Sequence, residues 1–359
     1  MIRLQSEQPW NVGPFAFPAG TFYVEAATAA DAMLLQPVTV ATVDNPKPYD
    51  PGADPDSILV CRSGGFGDLL FMTPLLRALR ARHPRARITF ATADHYADAI
   101  RHHPAVDGLA AYPVPAAVLE RHDAVLWFEG AVEWDPRART THYVDLLAAV
   151  AGIELTQGRN MNVELCDDWR KTAAERWPRR YARRIGVQLA ASAKCRTWPH
   201  IGRFIQLALE LPDTEVLVFD SPDDFRERSE LRANLVWLPW SDPAPTFGES
   251  MALLETCHAV VAPDSAICHA AAALGRPVVA VYGSFPRSLR TIYEPSVQTF
   301  SGQLPCAPCF WHARSSEFPP DAPCAVTRRC EALARIAPER ILAKVRPLLP
   351  PAPKLILPS

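Results

Sequence analysis

The strongest constraint on how this chain can fold is a change of pattern at Ile58. There an apolar run, Ile58 to Arg62, leads into the glycine turn Ser63 to Asp68 and then into an apolar-periodic stretch from Leu69 to Arg82. Strand, glycine turn and helix in that order open a βα unit, and the runs at 87–93, 108–114 and 124–130 that follow are separated by helix-length segments. Continuous apolar strands alternating with helices imply a parallel sheet covered on both faces. A second series begins at 183–191 and continues at 215–221, 235–239, 259–263 and 277–283. Two successive βα series imply an α/β protein with two doubly wound domains rather than one large sheet. The length of 359 residues agrees, being too great for one ordinary domain.

Before the first series, Gly20 to Ala26 and Pro37 to Val43 are β-branched and aromatic runs, and Thr28 to Gln36 between them suits a short helix. Asp44 to Ser57 is rich in proline and acids, which is linker chemistry. The expected organisation is therefore an accessory β-containing module with a proline-rich linker at 1–56, a first Rossmann-like domain at 57–178 and a second at 179–337. The second domain contains a cysteine-rich loop at 304–330, and a C-terminal helix and proline-rich tail follow at 338–359.

A hydrophobic share of 48% and a charged share of 21% describe a globular protein able to bury real cores. The formal net charge of −2 leaves no overall basic field for a nucleic-acid backbone or an anionic membrane, so nucleic acid is not an expected partner. No apolar run approaches the ~20 residues of a membrane span, and the N-terminus lacks the apolar core of a signal peptide; only peripheral membrane contact is compatible with that. Nine cysteines, an odd number, argue against a disulfide framework, and the expectation is a cytoplasmic protein.

In open α/β sheets ligands sit outside the carboxyl ends of the strands, so the strand-to-helix turns are the segments that carry chemistry. At the first turn, Gly65 and Gly67 let the backbone come close to a ligand. A dinucleotide fingerprint fails here, because Leu70 stands where the third small residue belongs, although Asp94 after the second strand leaves a ribose partner available. Asp68, at the mouth of the turn, suits either a general base for an attacking sugar hydroxyl or a cap for the helix that follows.

In the second series, Lys194 and Arg196 follow a strand end, where two cations suit diphosphate oxygens or form a solvated basic turn. Asp220, Asp223 and Asp224 follow the next strand and suit ribose hydroxyls or helix capping. The segment Ala259 to Gly283 is the most informative. A buried strand stops at Pro263, Asp264 and Ser265 cap an alanine-rich helix, and Gly275 ends it. Ser265 and His269 are four apart and share a face, beside backbone N–H groups suited to an anion. Asp264 would repel a phosphate, so capping or sugar hydroxyls suit it better.

Cys306 and Cys309 form a CxxC pair, and Cys324 and Cys330 follow after 14 and 5 intervening residues. Four thiolates could close a structural zinc or iron site with no open position for catalysis, or remain reduced cysteines in a loop. The segment Gly130 to Thr140, expected near an acceptor, matches no motif.

From about Ser57 to Val345 the chain resembles glycosyltransferase family 9, the ADP-heptose:lipopolysaccharide heptosyltransferases. The likeness is carried by GGFGDLLFMTPLLRALRARHP, KCRTWP and VVAPDSAICHAAAALGRPVVAVYG, in matching order and spacing, with PCAPC shortly after. It implies a GT-B fold, two Rossmann-like domains facing a cleft, and inverting transfer without a catalytic metal. It also implies a donor such as ADP-heptose and a role in lipopolysaccharide biosynthesis or a related pathway, with a glycan or protein acceptor. By position, Asp68 would be the general base, while Asp264, Ser265, Ala266 and His269 would bind the donor. Arg196 matches the family's phosphate-binding lysine, and Asp223 or Asp224 falls near the acid that binds the nucleoside. Two departures stand out: arginine at 196 keeps the charge but alters its geometry, and Ala266 replaces the usual glycine. Members that glycosylate autotransporters also carry an N-terminal β module and a cysteine metal finger, a looser likeness. A catalytically silent relative serving as a binding or assembly protein is the competing reading, and oligomeric state is not legible.

Overall fold

The computed structural model describes residues 1–6, 10–12, 15–17, 19–24, 39–42, 47–133, 135–191, 193–220, 232–311, 318–319 and 322–351. It divides into two compact units, Met1–Glu164 and Leu165–Ser359.

The first unit opens with β1 (Ile2–Ser6), β2 (Trp10–Val12), β3 (Phe15–Phe17), β4 (Gly20–Val24) and β5 (Thr39–Thr42). β4 and β5 are the expected strands; β1, β2 and β3 were not foreseen, and the helix expected over Thr28 to Gln36 lies outside the described residues. The parallel sheet follows with β6 (Ser57–Cys61), β7 (Arg87–Thr92), β8 (Gly108–Ala111) and, after β9 (Val114–Pro115), β10 (Ala124–Trp127). The run 108–114, expected as one strand, is therefore divided. β8 pairs with β7 in the parallel sheet, whereas β9 pairs antiparallel with β4 and completes a sheet of order β5-β1-β4-β9. The accessory strands β1, β4 and β5 are thus joined by hydrogen bonds to a segment of the first Rossmann-like domain, not merely tethered to it by the linker, while β2 and β3 pair with each other.

Ile58, Leu59 and Val60 are fully buried, as a strand covered on both faces requires. Helix α1 (Phe66–Arg82) buries Leu69, Leu70, Met72, Leu75, Leu76 and Leu79, each contributing roughly 1.5–3 kcal/mol by leaving water. α2 (Tyr143–Ala151) packs on α1 and stops at Gly152 in the left-handed region, φ 65°.

The second unit contains α3 (Asp167–Arg176), β11 (Arg183–Val187), α4 (Ile201–Leu209), β12 (Thr214–Val218), β13 (Leu235–Trp237), α5 (Phe247–Glu255), β14 (Ala259–Ala262), α6 (Ala266–Ala273), β15 (Val278–Tyr282), β16 (Val297–Ser301) and α7 (Pro338–Val345). Its core joins the inward faces of β11, β12, β14 and β15 to α4 and α7. The expected boundary at 178/179 would give α3 to the first domain, but α3 packs against α5 in the second unit. The contact depends on a glycine: a Cβ at Gly248 would fall 2.2 Å from the Trp169 ring.

Both parallel sheets wind the same way. Their orders are β10-β6-β7-β8 and β13-β12-β11-β14-β15-β16, so each runs outward from its first strand and then returns to that strand's other side. This reversal opens a crevice beyond the carboxyl ends of the two strands that flank it. In the first unit those strands are β6 and β10, and in the second β11 and β14. These are the two places where the topology calls for a ligand.

Candidate active site

At the first crevice the turn after β6 and the segment after β10 meet around one buried cation. Arg62, 2% exposed, donates through Nη1 to the Phe128 carbonyl at 3.0 Å and to Glu133 Oε2 at 3.1 Å. Its Nη2 donates to Glu133 Oε1 and to the Tyr143 hydroxyl, the latter at 2.7 Å. Burial alone would favour the neutral guanidine, but Tyr143, Asp68 and Glu133 hold the charge, so Arg62 stays protonated well above its ordinary range. Beside it, Glu129 accepts from the Ser63 backbone N–H and, at 2.9 Å, from the Ser63 hydroxyl.

Asp68 occupies the first turn of α1. Its Oδ2 accepts from the Gly65 N–H at 2.9 Å, its Oδ1 accepts from the Tyr143 hydroxyl at 2.9 Å, and Arg62 Nη2 stands 3.6 Å from Oδ1. The capping contact is therefore real, and a base role has to coexist with it. The side chain is 33% exposed, enough for a substrate hydroxyl to reach it. The glycines act here through size. None of Gly64, Gly65 and Gly67 has a positive φ, but a Cβ at Gly64 would lie 2.9 Å from Asp68 Oδ2 and 3.0 Å from Arg62 Nε. Gly64 is what lets the carboxylate and the guanidinium close on the turn.

The second crevice has the opposite sign. Asp264, 5% exposed, sits among three cationic or protonatable groups. Arg196 Nη1 is 3.4 Å from its Oδ2 and 3.2 Å from its carbonyl, Arg290 Nε is 3.6 Å from Oδ2, and His269 Nε2 is 3.1 Å from Oδ1. Burial pushes this carboxyl up, but the His269 hydrogen bond and the Arg290 and Arg196 charges outweigh it and hold the group well below the usual carboxylate range.

The expected pair of caps is corrected accordingly. Ser265 alone is the N-cap of α6, its hydroxyl accepting from the Cys268 N–H at 3.4 Å, while Asp264 anchors the two arginines. Ala266 is the first residue of α6, and His269, one turn on, is buried against Asp264. Lys194 is exposed on the same short turn as Arg196. Asp220, after β12, accepts from the Gln188 side chain at 3.1 Å, and Asp223 and Asp224 lie outside the described residues.

Sequence reasoning missed Glu129, Glu133 and Tyr143 in the first crevice and Arg290 in the second. Glu133 falls in the motif-less segment 130–140, and its only signal was position: a charged residue just past a strand at the sheet's reversal.

The four late cysteines open onto one pocket, together with a fifth, Cys195, which neighbours Arg196. All are free thiols, and burial pushes Cys330 up to about 11. Soft sulfur donors suit zinc or iron. Among the described residues, however, no three His, Cys, Asp or Glu side chains are gathered as a ligand set.

Comparison with known proteins adds to this geometry. The model of glycosyltransferase family 9 (heptosyltransferase) matches residues 128–317, more than half of the chain. Lipopolysaccharide heptosyltransferase 2 of Escherichia coli K12 is 34% identical over 95 residues, covering 24% of this chain and 27% of that protein. The match thus spans about a quarter of the curated relative. The structure of E. coli ADP-heptose LPS heptosyltransferase II superposes with TM-score 0.62 at 18% identity, over 81% of this chain and 98% of that one. The dodecameric iron-containing heptosyltransferase TibC, in complex with ADP-D-β-D-heptose, superposes with TM-score 0.55 at 13% identity, over 97% of this chain and 90% of that one. At these identities the structural likeness establishes the fold: α/β, with the paired Rossmann-like domains of the GT-B glycosyltransferases.

Proposed function

The chain belongs to glycosyltransferase family 9, and from that premise we propose that it is an inverting glycosyltransferase that moves a sugar from a nucleoside-diphosphate donor to a hydroxyl. The observation that carries this reading is the opposite charge of the two crevices. In the second unit two guanidiniums surround one carboxylate, leaving positive charge for a diphosphate at the N-terminus of α6, where free N–H groups add to it. In the first unit two carboxylates, Asp68 and Glu133, face one guanidinium, and a third, Glu129, is held beside them on Ser63, a setting that repels phosphate and favours removal of a proton.

The acceptor oxygen attacks the anomeric carbon, the bond from that carbon to the phosphate oxygen breaks, and the nucleoside diphosphate leaves with the electron pair. The hydroxyl proton passes to Asp68, and attack from the face opposite the leaving group inverts the anomeric centre. Arg196 neutralises the developing charge on the diphosphate, with Lys194 beside it. Asp264 and His269 hold that arginine in place, and Ser265 with Ala266 forms the helix start on which the phosphate rests. Asp223 or Asp224 would take the nucleoside.

ADP-heptose is the donor we favour, on the strength of the two solved heptosyltransferase structures above, one named for ADP-heptose and the other in complex with ADP-D-β-D-heptose, and a glycan or protein hydroxyl the acceptor. No catalytic metal takes part in this scheme. Cys306, Cys309, Cys324 and Cys330 would hold a structural zinc or iron ion, a reading supported by their shared pocket and by the iron of TibC. The free thiols suit a reducing compartment such as the cytoplasm. No helix among the described residues is long and apolar enough to cross a membrane.

Incubating the protein with ADP-heptose and other nucleotide sugars, and measuring nucleoside diphosphate release, tests the reading. Release that requires an acceptor supports it; binding of ADP without turnover of any donor would favour a silent relative. Elemental analysis of freshly purified, reduced protein should find about one zinc or iron ion per chain, and protein free of both would remove the metal site.

A further inference from the structure

Asp68 shares its environment with a tyrosine that no motif marks. Tyr143 begins α2, 75 residues further along the chain, and is 7% exposed. Its ring stacks on Phe71 at 4.8 Å, an anchor that owes nothing to the hydroxyl.

The direction of each hydrogen bond around that hydroxyl follows from chemistry alone. A guanidinium has no acceptor, so Arg62 must donate into the Tyr143 oxygen at 2.7 Å. The tyrosine's single proton is then available to the Asp68 Oδ1 at 2.9 Å. Oδ2 meanwhile takes the Gly65 N–H. We propose that Tyr143 is a positioning residue for Asp68, relaying the fixed charge of Arg62 into one oxygen of the carboxylate while the Gly65 N–H holds the other.

Two consequences follow. The carboxylate is held by donors on different elements, the β6–α1 turn and α2, which fixes its plane. The relay also stabilises the ionised form, because both donors favour the anion. The charged and titratable groups around Asp68 include Arg62 from the turn after β6, Tyr143 from α2 and Glu133 through its pairing with Arg62, with Glu129 held on Ser63 in the same turn. Tyr143 remains a neutral hydroxyl, since burial first of all holds its ionisation well above the ordinary range. It can therefore donate at any assay pH.

This proposal rests on Asp68 being the base, and the experiment separates the two. The pH dependence of kcat/KM is measured for wild type, Asp68→Asn and Tyr143→Phe, with ADP binding and melting temperature as controls. Phenylalanine keeps the stacked ring and removes only the donor. The expected result is a drop in kcat of roughly tenfold, an unchanged affinity for ADP and an acidic limb moved up by about one pH unit, the scale of one lost charge-assisted hydrogen bond.

If Asp68→Asn turns over near the wild-type rate, the base reading fails. If Asp68→Asn is inactive but the acidic limb stays in place in Tyr143→Phe, the positioning role fails on its own. Should Tyr143→Phe not fold, replacing Tyr143 with 3-fluorotyrosine gives a stronger donor of nearly the same shape. The limb should then move down instead of up, and an unmoved limb overturns the proposal.

Discussion

The two crevices share a topology and differ in sign. Each lies where a parallel sheet reverses its strand order, and each contains one buried charged side chain paired with side chains of opposite charge. In the first unit the centre is Arg62 and the ring is Asp68, Glu133 and, through Ser63, Glu129. In the second the centre is Asp264 and the ring is Arg196, Arg290 and His269. The backbone supplies the same cradle twice, and a handful of turn residues decide its charge. Function in such a chain resides in the turns; the sheets only bring them together.

The largest effect should come from removing the centre of the second ring. Asp264→Asn leaves two nearly buried guanidiniums without their carboxylate and should cost about 3–5 kcal/mol of stability. The sign with pH is fixed by the depressed carboxyl. Its contribution is full above the unfolded value near ~3.9 and is lost as pH falls through the lower folded value. Urea titrations should show a gap between wild type and variant that is constant from pH 7 to 5 and shrinks only in stronger acid. A gap that closes near neutrality would mean that His269, not the arginines, dominates the cluster.

Next in size is the first ring. Asp68→Asn keeps an oxygen for the Gly65 N–H and removes the basicity, so turnover should fall by a factor on the order of 10² or more while the fold persists. Steady-state kinetics with circular dichroism as a fold control checks this. Near-normal turnover would reduce Asp68 to a helix cap and erase the functional half of the comparison.

What the amino-acid sequence revealed about these rings was local. The turn after β6 could be read because strand, glycines and helix are contiguous, and the Pro263 to His269 segment for the same reason. The partners could not be. Glu133 and Tyr143 reach Arg62 and Asp68 from more than 70 residues away, and Arg290 lies in a stretch with no pattern of its own. Local reasoning accordingly placed a cap at Asp264, where long-range contacts make an ion cluster. β16 escaped for a related reason: it is an edge strand with one buried residue, the rest being exposed or half-exposed, so it lacks the continuous apolar run that marked its neighbours. The division of 108–114 between two sheets depends on which partner strands lie nearby, which no window of sequence contains.

The central claim is that the second unit binds the nucleotide and the first handles the acceptor hydroxyl. Calorimetric titration of ADP into wild type, Arg196→Ala, His269→Ala and Asp68→Asn tests it most directly. The account predicts a loss of roughly 1.5–3 kcal/mol for Arg196→Ala, the worth of a charge-assisted contact, and a smaller loss for His269→Ala, which acts through Asp264. Asp68→Asn should bind ADP as wild type does. If instead Asp68→Asn abolishes binding and Arg196→Ala does not, the nucleotide belongs to the first unit and the assignment is reversed.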